Sequence, residues 1–153
     1  MESKMKSFNM ALAQIYKRED ELYHRYATFC GLSDPAIWVL YALYEEEDKI
    51  YTQNDLVSMW YYPKQTVNYT VSCLVKNNWV KLEQLPGARN SKAVRLTEEG
   101  KQICVEKILP LMKAEEHSLK RMTETERTLL LQLTETQCTY FEEELKKIME
   151  EQN

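Results

Sequence analysis

Apolar residues recurring at three- and four-residue steps open the chain. Between residues 8 and 29, Phe8, Leu12, Ile15, Leu22, Tyr26 and Phe29 fall on one face of a long helix, and Gly31 supplies its stop. Ser33-Asp34-Pro35 predicts the next start: a short oxygen-bearing side chain caps orphan N–H groups, and Pro in the first turn lacks an N–H that would be wasted there. This second helix, through Ile37, Leu40 and Leu43, is expected to end near the acidic run Glu45-Glu46-Glu47-Asp48. Thr52-Gln53-Asn54-Asp55 begins a short third helix carrying Leu56, Val57 and Trp60, with Thr at the cap and an acidic residue three places on. Pro63 starts a fourth helix that runs to about Asn77, and Asn78 is placed to end it in the left-handed conformation.

The period then shortens. Val80 and Leu82 alternate with Lys81 and Glu83, and Val94 and Leu96 flank Arg95, so residues 79–85 and 93–96 read as two strands, each burying one face. Residues 86–92 join them as a protruding basic tip. Thr97-Glu98-Glu99-Gly100 opens a fifth helix, continued by Ile103, Ile108, Leu111 and Met112 with a kink at Pro110. Thr123-Glu124-Thr125-Glu126 is a capping box for a sixth helix, whose Leu130, Leu133, Phe141, Leu145 and Ile148 form an apolar stripe ending in a fraying tail at residues 150–153. The predicted order is α-α-α-α-β-β-α-α, mainly α with a small β-hairpin wing.

With 153 residues, 44% of them apolar, the chain can bury the core of one structural domain. Only three Gly and four Pro argue against an all-β fold of many turns. No run of eighteen apolar residues occurs and MESKMKSFNMALAQ has no apolar leader core, so a cytoplasmic protein without a membrane partner is expected. Cys30, Cys73, Cys104 and Cys138 lie far apart, with no C-x-x-C pair and no His at ligand spacing; they are expected to be reduced and buried, with no metal. His24 and His117 stand isolated among polar residues and read as surface or structural side chains. The absence of a Gly-rich phosphate loop, a nucleophile motif or an acid/base pair argues against an enzyme and implies no cofactor.

Charge changes the picture by its distribution. Between residues 60 and 95, Lys64, Lys76, Lys81, Arg89, Lys92 and Arg95 face Glu83 alone, a balance of +5 in a chain of net −4, so the rest sums to −9. A basic middle between acidic ends suggests a polyanion-binding element. Two helices joined by the tight connection Trp60-Tyr61-Tyr62 and followed at once by a basic hairpin have the layout of a winged helix-turn-helix. With Val67 at zero and about 100° per residue, Val71, Leu74 and Val75 lie within about 80° and hold the fourth helix on the domain. Opposite them lie Gln65, Asn68, Tyr69, Ser72 and Lys76, with no acidic residue among them.

This face suits double-stranded DNA. Gln65 and Asn68 carry donor and acceptor together and match the adenine edge in the major groove, while Tyr69, Ser72 and Lys76 position the backbone. Lys64 and Thr66 sit at the helix N-terminus, where free N–H groups favour phosphate. Arg89 and Lys92 on the wing suit the neighbouring minor groove. The rival reading is a winged interaction module without DNA readout, which would need no cluster of six cations.

Leu56, Pro63-Lys64-Gln65-Thr66-Val67-Asn68, Leu74-Val75-Lys76-Asn77-Asn78-Trp79-Val80, and Arg89 followed by Leu96-Thr97-Glu98-Glu99-Gly100 together resemble the MarR family of bacterial transcriptional regulators. The resemblance runs from the first helix to the last. Asn78 stands where the family usually has Gly, and Gly87-Ala88-Arg89 lacks the Asp of the usual Asp-x-Arg wing, with one extra residue between Arg89 and Thr97. The resemblance implies a two-fold homodimer whose first, fifth and sixth helices interlock (residues 1–32 and 101–153) around winged regions at 33–100. Each recognition helix would then read half of a pseudo-palindromic operator. It further implies a repressor that releases DNA when a small, often aromatic or phenolic, effector enters a cleft between the two regions. Stripes on both terminal helices exceed what a small winged domain needs for its own core, which independently permits a partner chain.

Overall fold

The structure is a computed structural model that describes residues 2–46 and 48–151. Glu47 of the acidic run and the last two residues of the tail, Gln152 and Asn153, lie outside the described residues. The chain divides into two compact units, residues 1–110 and 111–153. No helix among the described residues is long and apolar enough to cross a membrane.

The first unit holds α1 (Ser3–Cys30), α2 (Asp34–Glu45), β1 (Tyr51–Thr52), α3 (Gln53–Trp60), α4 (Lys64–Lys76), β2 (Val80–Gln84), β3 (Lys92–Leu96) and α5 (Glu98–Lys107). Its helix ends follow the local chemistry. Gly31 closes α1 at φ 69°, with its N–H on Thr28 O and that of Leu32 on Ala27 O. The Ser33 hydroxyl accepts from the Ala36 N–H, and Thr52 and Asp55 form a reciprocal capping box.

At the centre lies α2, whose Ala36, Ile37, Val39, Leu40, Ala42 and Leu43 are all buried. It packs against α1, α3, α4, α5 and β3, and Leu56, Val67, Val71, Leu74, Val94, Cys104 and, just past α5, Ile108 are buried as well.

Several expectations are corrected here. The sheet has three strands, in the order β1-β3-β2, because Tyr51 and Thr52 pair with Val94 and Ala93. As the middle strand, β3 is buried at the consecutive residues Ala93 and Val94, not on one face only. On β2, Val80 is buried but Leu82 is 37% exposed, since it borders an open recess beside α3 and α4 and not the packed core. Val75, at the edge of the α4 core face, is 39% exposed, and Thr70 is buried in its stead, its hydroxyl donating to Thr66 O at 2.7 Å.

The expected fifth helix is two helices. Pro110 has no N–H to donate to the preceding turn, so α5 stops at Lys107 and α6 (Leu109–Lys120) begins anew. The freed Lys107 carbonyl accepts from the Tyr26 hydroxyl at 2.7 Å, and the Lys107 ammonium donates back to Cys30 O at 2.9 Å, which ties α5 to the last turn of α1. Burial pushes the Tyr26 phenol up to about 12. Of the four cysteines, all free, Cys30 and Cys104 are buried as expected, whereas Cys73 is half-buried and Cys138 is exposed.

The second unit contains most of α6 and α7 (Glu124–Glu151). Thr123 and Glu126 exchange capping hydrogen bonds at 2.7 and 3.2 Å, as the sequence predicts. Arg127 donates to Met122 O at 2.6 Å and Leu119 O at 3.1 Å, satisfying carbonyls left at the end of α6. No described residue of α7 is buried, and its stripe of Leu130, Leu133, Phe141, Leu145 and Ile148 lies open. On α1, Phe8, Ile15, Leu22 and Phe29 are likewise exposed, and the chain's own core takes Ala27 and Cys30 instead.

The base of the hairpin is the tightest point. Asn78 adopts φ 62° and completes a Schellman end to α4, with its N–H on Val75 O and that of Trp79 on Leu74 O. The Thr97 hydroxyl donates to Asn78 O at 2.6 Å and accepts from the Gly100 N–H at 2.9 Å. A Cβ on Gly100 would lie 1.8 Å from the Trp79 carbonyl oxygen. Gly100→Ala is therefore expected to cost about 3 kcal/mol or more by overpacking against backbone, measured by chemical denaturation. A loss below about 1 kcal/mol would show that the junction yields freely.

His24 of α1 meets Asp34 of α2, Nδ1 lying 2.9 Å from Oδ1. The hydrogen bond and charge of Asp34, helped by Glu21, raise the His24 pKa above its ordinary 6.5. The tie between α1 and α2 is thus fully present below that ordinary value and is lost as pH rises through the raised one. An NMR titration is expected to place the His24 midpoint above 6.5 in the parent and lower it in Asp34→Asn; equal midpoints would refute the pairing.

Candidate nucleic-acid interface

α3 and α4 meet through residues 61–63, where Tyr61 turns the chain at φ 57° with 93% of its surface exposed. A β-carbon makes that conformation costly, by about 1 kcal/mol, and the turn lets α4 pack back on α3. Pro63 is the cap residue and offers no side-chain hydrogen bond, so the first N–H groups of α4 have no cap from that side chain.

Along α4 the burial follows the predicted division except at Val75, Thr70 and Asn68. Val67, Thr70, Val71 and Leu74 face the core, whereas Lys64, Gln65, Tyr69, Ser72 and Lys76 are exposed and Thr66 is half-buried. The Tyr69 phenol is raised above its usual value, chiefly by a hydrogen bond with Cys73 one turn on, so it faces outward as a neutral group. Asn68 departs from this ridge. It is half-buried, its Oδ1 has no partner, and it lines a cavity of about 300 Å³.

That cavity joins three elements. Thr52, Gln53 and Asn54 come from the start of α3, Lys64 and Asn68 from α4, and Leu82, Asn90, Ser91 and Lys92 from the hairpin. Lys64, Asn68 and Lys92, separate in the sequence, are therefore neighbours around one polar recess. Sequence reasoning missed Thr52–Asn54 and Asn90–Ser91 as parts of it; the Thr52–Asp55 capping box was the available signal, because it marks where helix N–H groups begin. Tyr61 was also missed, since only its backbone conformation reveals how far it projects.

The wing turns at residues 85–88, with Pro86 and Gly87 central, Gly87 at φ 75° and the Ala88 N–H on Leu85 O at 3.3 Å. The Gln84 amide donates to Ala88 O and folds the tip back on the strand. Arg89 and Lys92 are exposed beyond it.

Charge is sorted by the same geometry. Glu83 holds Arg95 at 2.6 Å and Lys81 at 3.1 Å, and these cations, Lys81 foremost, keep its carboxyl below the usual range. Lys64, Lys76, Arg89 and Lys92 make no ion pair among the described residues. The one carboxylate of the segment is thus engaged by two cations on the sheet surface, while Lys64 and Lys76 on α4 and Arg89 and Lys92 on the wing stay exposed.

Comparison with known proteins matches residues 31–89 to the MarR family model. No curated protein matches the chain. Among solved structures, a MarR family regulator from Neisseria meningitidis, NMB1585, is similar at TM-score 0.72 and 20% identity, over 90% of this chain and 97% of that one. A MarR family transcriptional regulator from Listeria monocytogenes complexed with 26mer DNA is similar at TM-score 0.69 and 19% identity, over 86% of each chain. The transcription regulator MarR from Oenococcus oeni PSU-1 is similar at TM-score 0.70 and 11% identity, over 86% of this chain and 98% of that one. Residues 31–89 thus match the MarR family model, and the fold of the chain is that of solved MarR family regulators.

Proposed function

We propose that the chain is a sequence-specific, double-stranded-DNA-binding transcriptional regulator acting as a homodimer, a repressor released by a small-molecule ligand. One observation carries the DNA reading: four exposed cations without an ion pair among the described residues, Lys64 and Lys76 on α4 and Arg89 and Lys92 on the wing, accompany the exposed uncharged side chains Gln65, Tyr69 and Ser72. A helix of this width fits the major groove, and unpaired cations gain most from phosphate because they give up no existing partner. The MarR family chain complexed with 26mer DNA supports the same use of the fold.

In this reading Gln65 reads a base edge from the ridge, and Asn68 offers its unpartnered oxygen from the recess beside it. Lys64 and Thr66 at the start of α4 hold phosphate, with Tyr69, Ser72 and Lys76 along the backbone and Arg89 and Lys92 toward the minor groove. Residues 33–100 serve as the DNA-binding region. Residues 1–32 and 101–153 serve as the dimerisation region, which gives the exposed stripes of α1 and α7 a partner.

Random-site selection at low salt is expected to yield a pseudo-palindromic site, and recovery of no DNA would overturn the reading. Eight cations per dimer at phosphates imply a slope of about −7 for log K against log salt. Gln65→Ala is expected to relax base preference at a cost of about 1–3 kcal/mol on the best site. Lys76→Ala and Arg89→Ala should weaken all sequences evenly and lower the salt slope by about one per site removed. Identical profiles for the three variants would reject this division of roles.

Sedimentation of the full chain is expected to show a dimer at micromolar concentration. Phe141→Glu on the open α7 stripe, by placing a charge in an apolar interface, should raise the dimer dissociation constant about a hundredfold or more. A monomeric parent chain would remove the dimer.

A further inference from the structure

A second cavity, of about 320 Å³, opens between α1, α2 and the connection into α4. Asp20 and Tyr23 line it from α1, Asp34, Ile37 and Trp38 from α2, and Tyr62 from the connection. Each helix brings its residues to the wall by helical spacing, one turn apart on α1 and at positions i, i+3 and i+4 on α2. The lining holds two carboxylates, three aromatic rings and no cation.

We propose that this cavity binds an organic cation, an aromatic or alkyl ammonium small enough to enter it, and that its occupancy acts on the recognition helix. An ammonium is drawn to the negative faces of Tyr and Trp rings and to carboxylates, and both are gathered here. Asp20 makes no ion pair among the described residues. Asp34 is shared with the His24 imidazole, whose Nδ1 lies 2.9 Å from one carboxylate oxygen and 3.2 Å from the other, and a bound cation competes with His24 for it; His24 is not part of the wall.

The Tyr62 phenol reports the field inside. It is raised above its usual value first by burial and then by the negative charge of Asp34 and Asp20, so both carboxylates are felt at the cavity wall. The same field repels a phenolate or carboxylate. A cationic ligand therefore replaces the phenolic effector that the family resemblance implies.

Occupancy has a short path to the interface. Trp38 stacks on Trp60, the last residue of α3, at 4.6 Å between ring centroids, and on Tyr23 at 4.8 Å. Tyr62 immediately precedes Pro63, the cap residue of α4. A ligand that reseats either ring moves a helix of the DNA-binding pair. This regulatory half rests on the DNA-binding reading, whereas the binding half does not.

The full chain is titrated by calorimetry with benzyltrimethylammonium and, in parallel, with phenylacetate, following tryptophan emission. Benzyltrimethylammonium is expected to bind once per chain and change the emission, with no binding of phenylacetate. Asp20→Asn should weaken the cation about tenfold, and His24→Gln, which removes the cation competing for Asp34, should strengthen it severalfold. Phenylacetate binding as tightly as the cation, or an Asp20→Asn chain indistinguishable from the parent, overturns the proposal. Saturating benzyltrimethylammonium is then added to the chain on its selected DNA site. Release supports the regulatory half, and unchanged affinity overturns that half alone. A chain that binds the cation but no DNA at all refutes the DNA reading and leaves the cation site standing.

Discussion

Between the end of the recognition helix and the start of α5 there is no room for a side chain. Gly100 lies against the Trp79 carbonyl, and around that approach the Thr97 hydroxyl bridges Asn78 O and the Gly100 N–H. The Thr97 N–H adds a third link, donating to Trp79 O at 3.0 Å, and the Asn78 amide reaches Glu99 Oε2 at 3.0 Å. Three elements end or begin at this knot: α4, the hairpin and α5. The angle between recognition helix and wing is therefore set at their shared base and not at their exposed tips. The proposed DNA contact, with helix and wing in neighbouring grooves, needs the two parts held in register, and backbone fixed by hydrogen bonds holds register better than surface side chains do.

The knot also accounts for Asn78. It occupies a left-handed position, at φ 62°, where Gly would be free of steric strain. Asn tolerates that conformation better than most residues, and here its amide gains the Glu99 partner that Gly would lack. The backbone strain is offset locally. At Gly100 no such exchange is open, because the obstacle is the Trp79 carbonyl itself.

Much of this fold was legible because its boundaries are written in local chemistry. Gly31, Ser33, Thr52, Asn78, Thr97 and Thr123 each close or open a helix through bonds to residues at most five places away or through their own φ. What was not legible depends on distant partners. β1 is two residues long and exists only through pairing with β3. Leu82 alternates like a core residue, yet whether a strand face is covered depends on what lies over it, and over Leu82 lies an open recess. The candidate ridge of Gln65, Tyr69, Ser72 and Lys76 followed from angle alone, whereas Asn68 sits at the edge of that arc, where the neighbouring wing decides between solvent and recess. Charge counting gave six cations; only the geometry around Glu83 separates the two that are engaged from the four that are not.

The same distinction between local and distant causes bears on α1. Its 28 residues form a rod of about 42 Å. Its final turns enter the core through Ala27 and Cys30, stack Tyr23 on Trp38, and bind Lys107 through Tyr26. Its earlier turns expose Phe8 and Ile15. A helix without a break is stiff enough that a displacement at one end is felt over several turns, so a surface that covered the exposed stripe would bear on the same rod that carries Tyr23. The aromatic contacts of Tyr23, Trp38 and Trp60 join that rod to the end of α3.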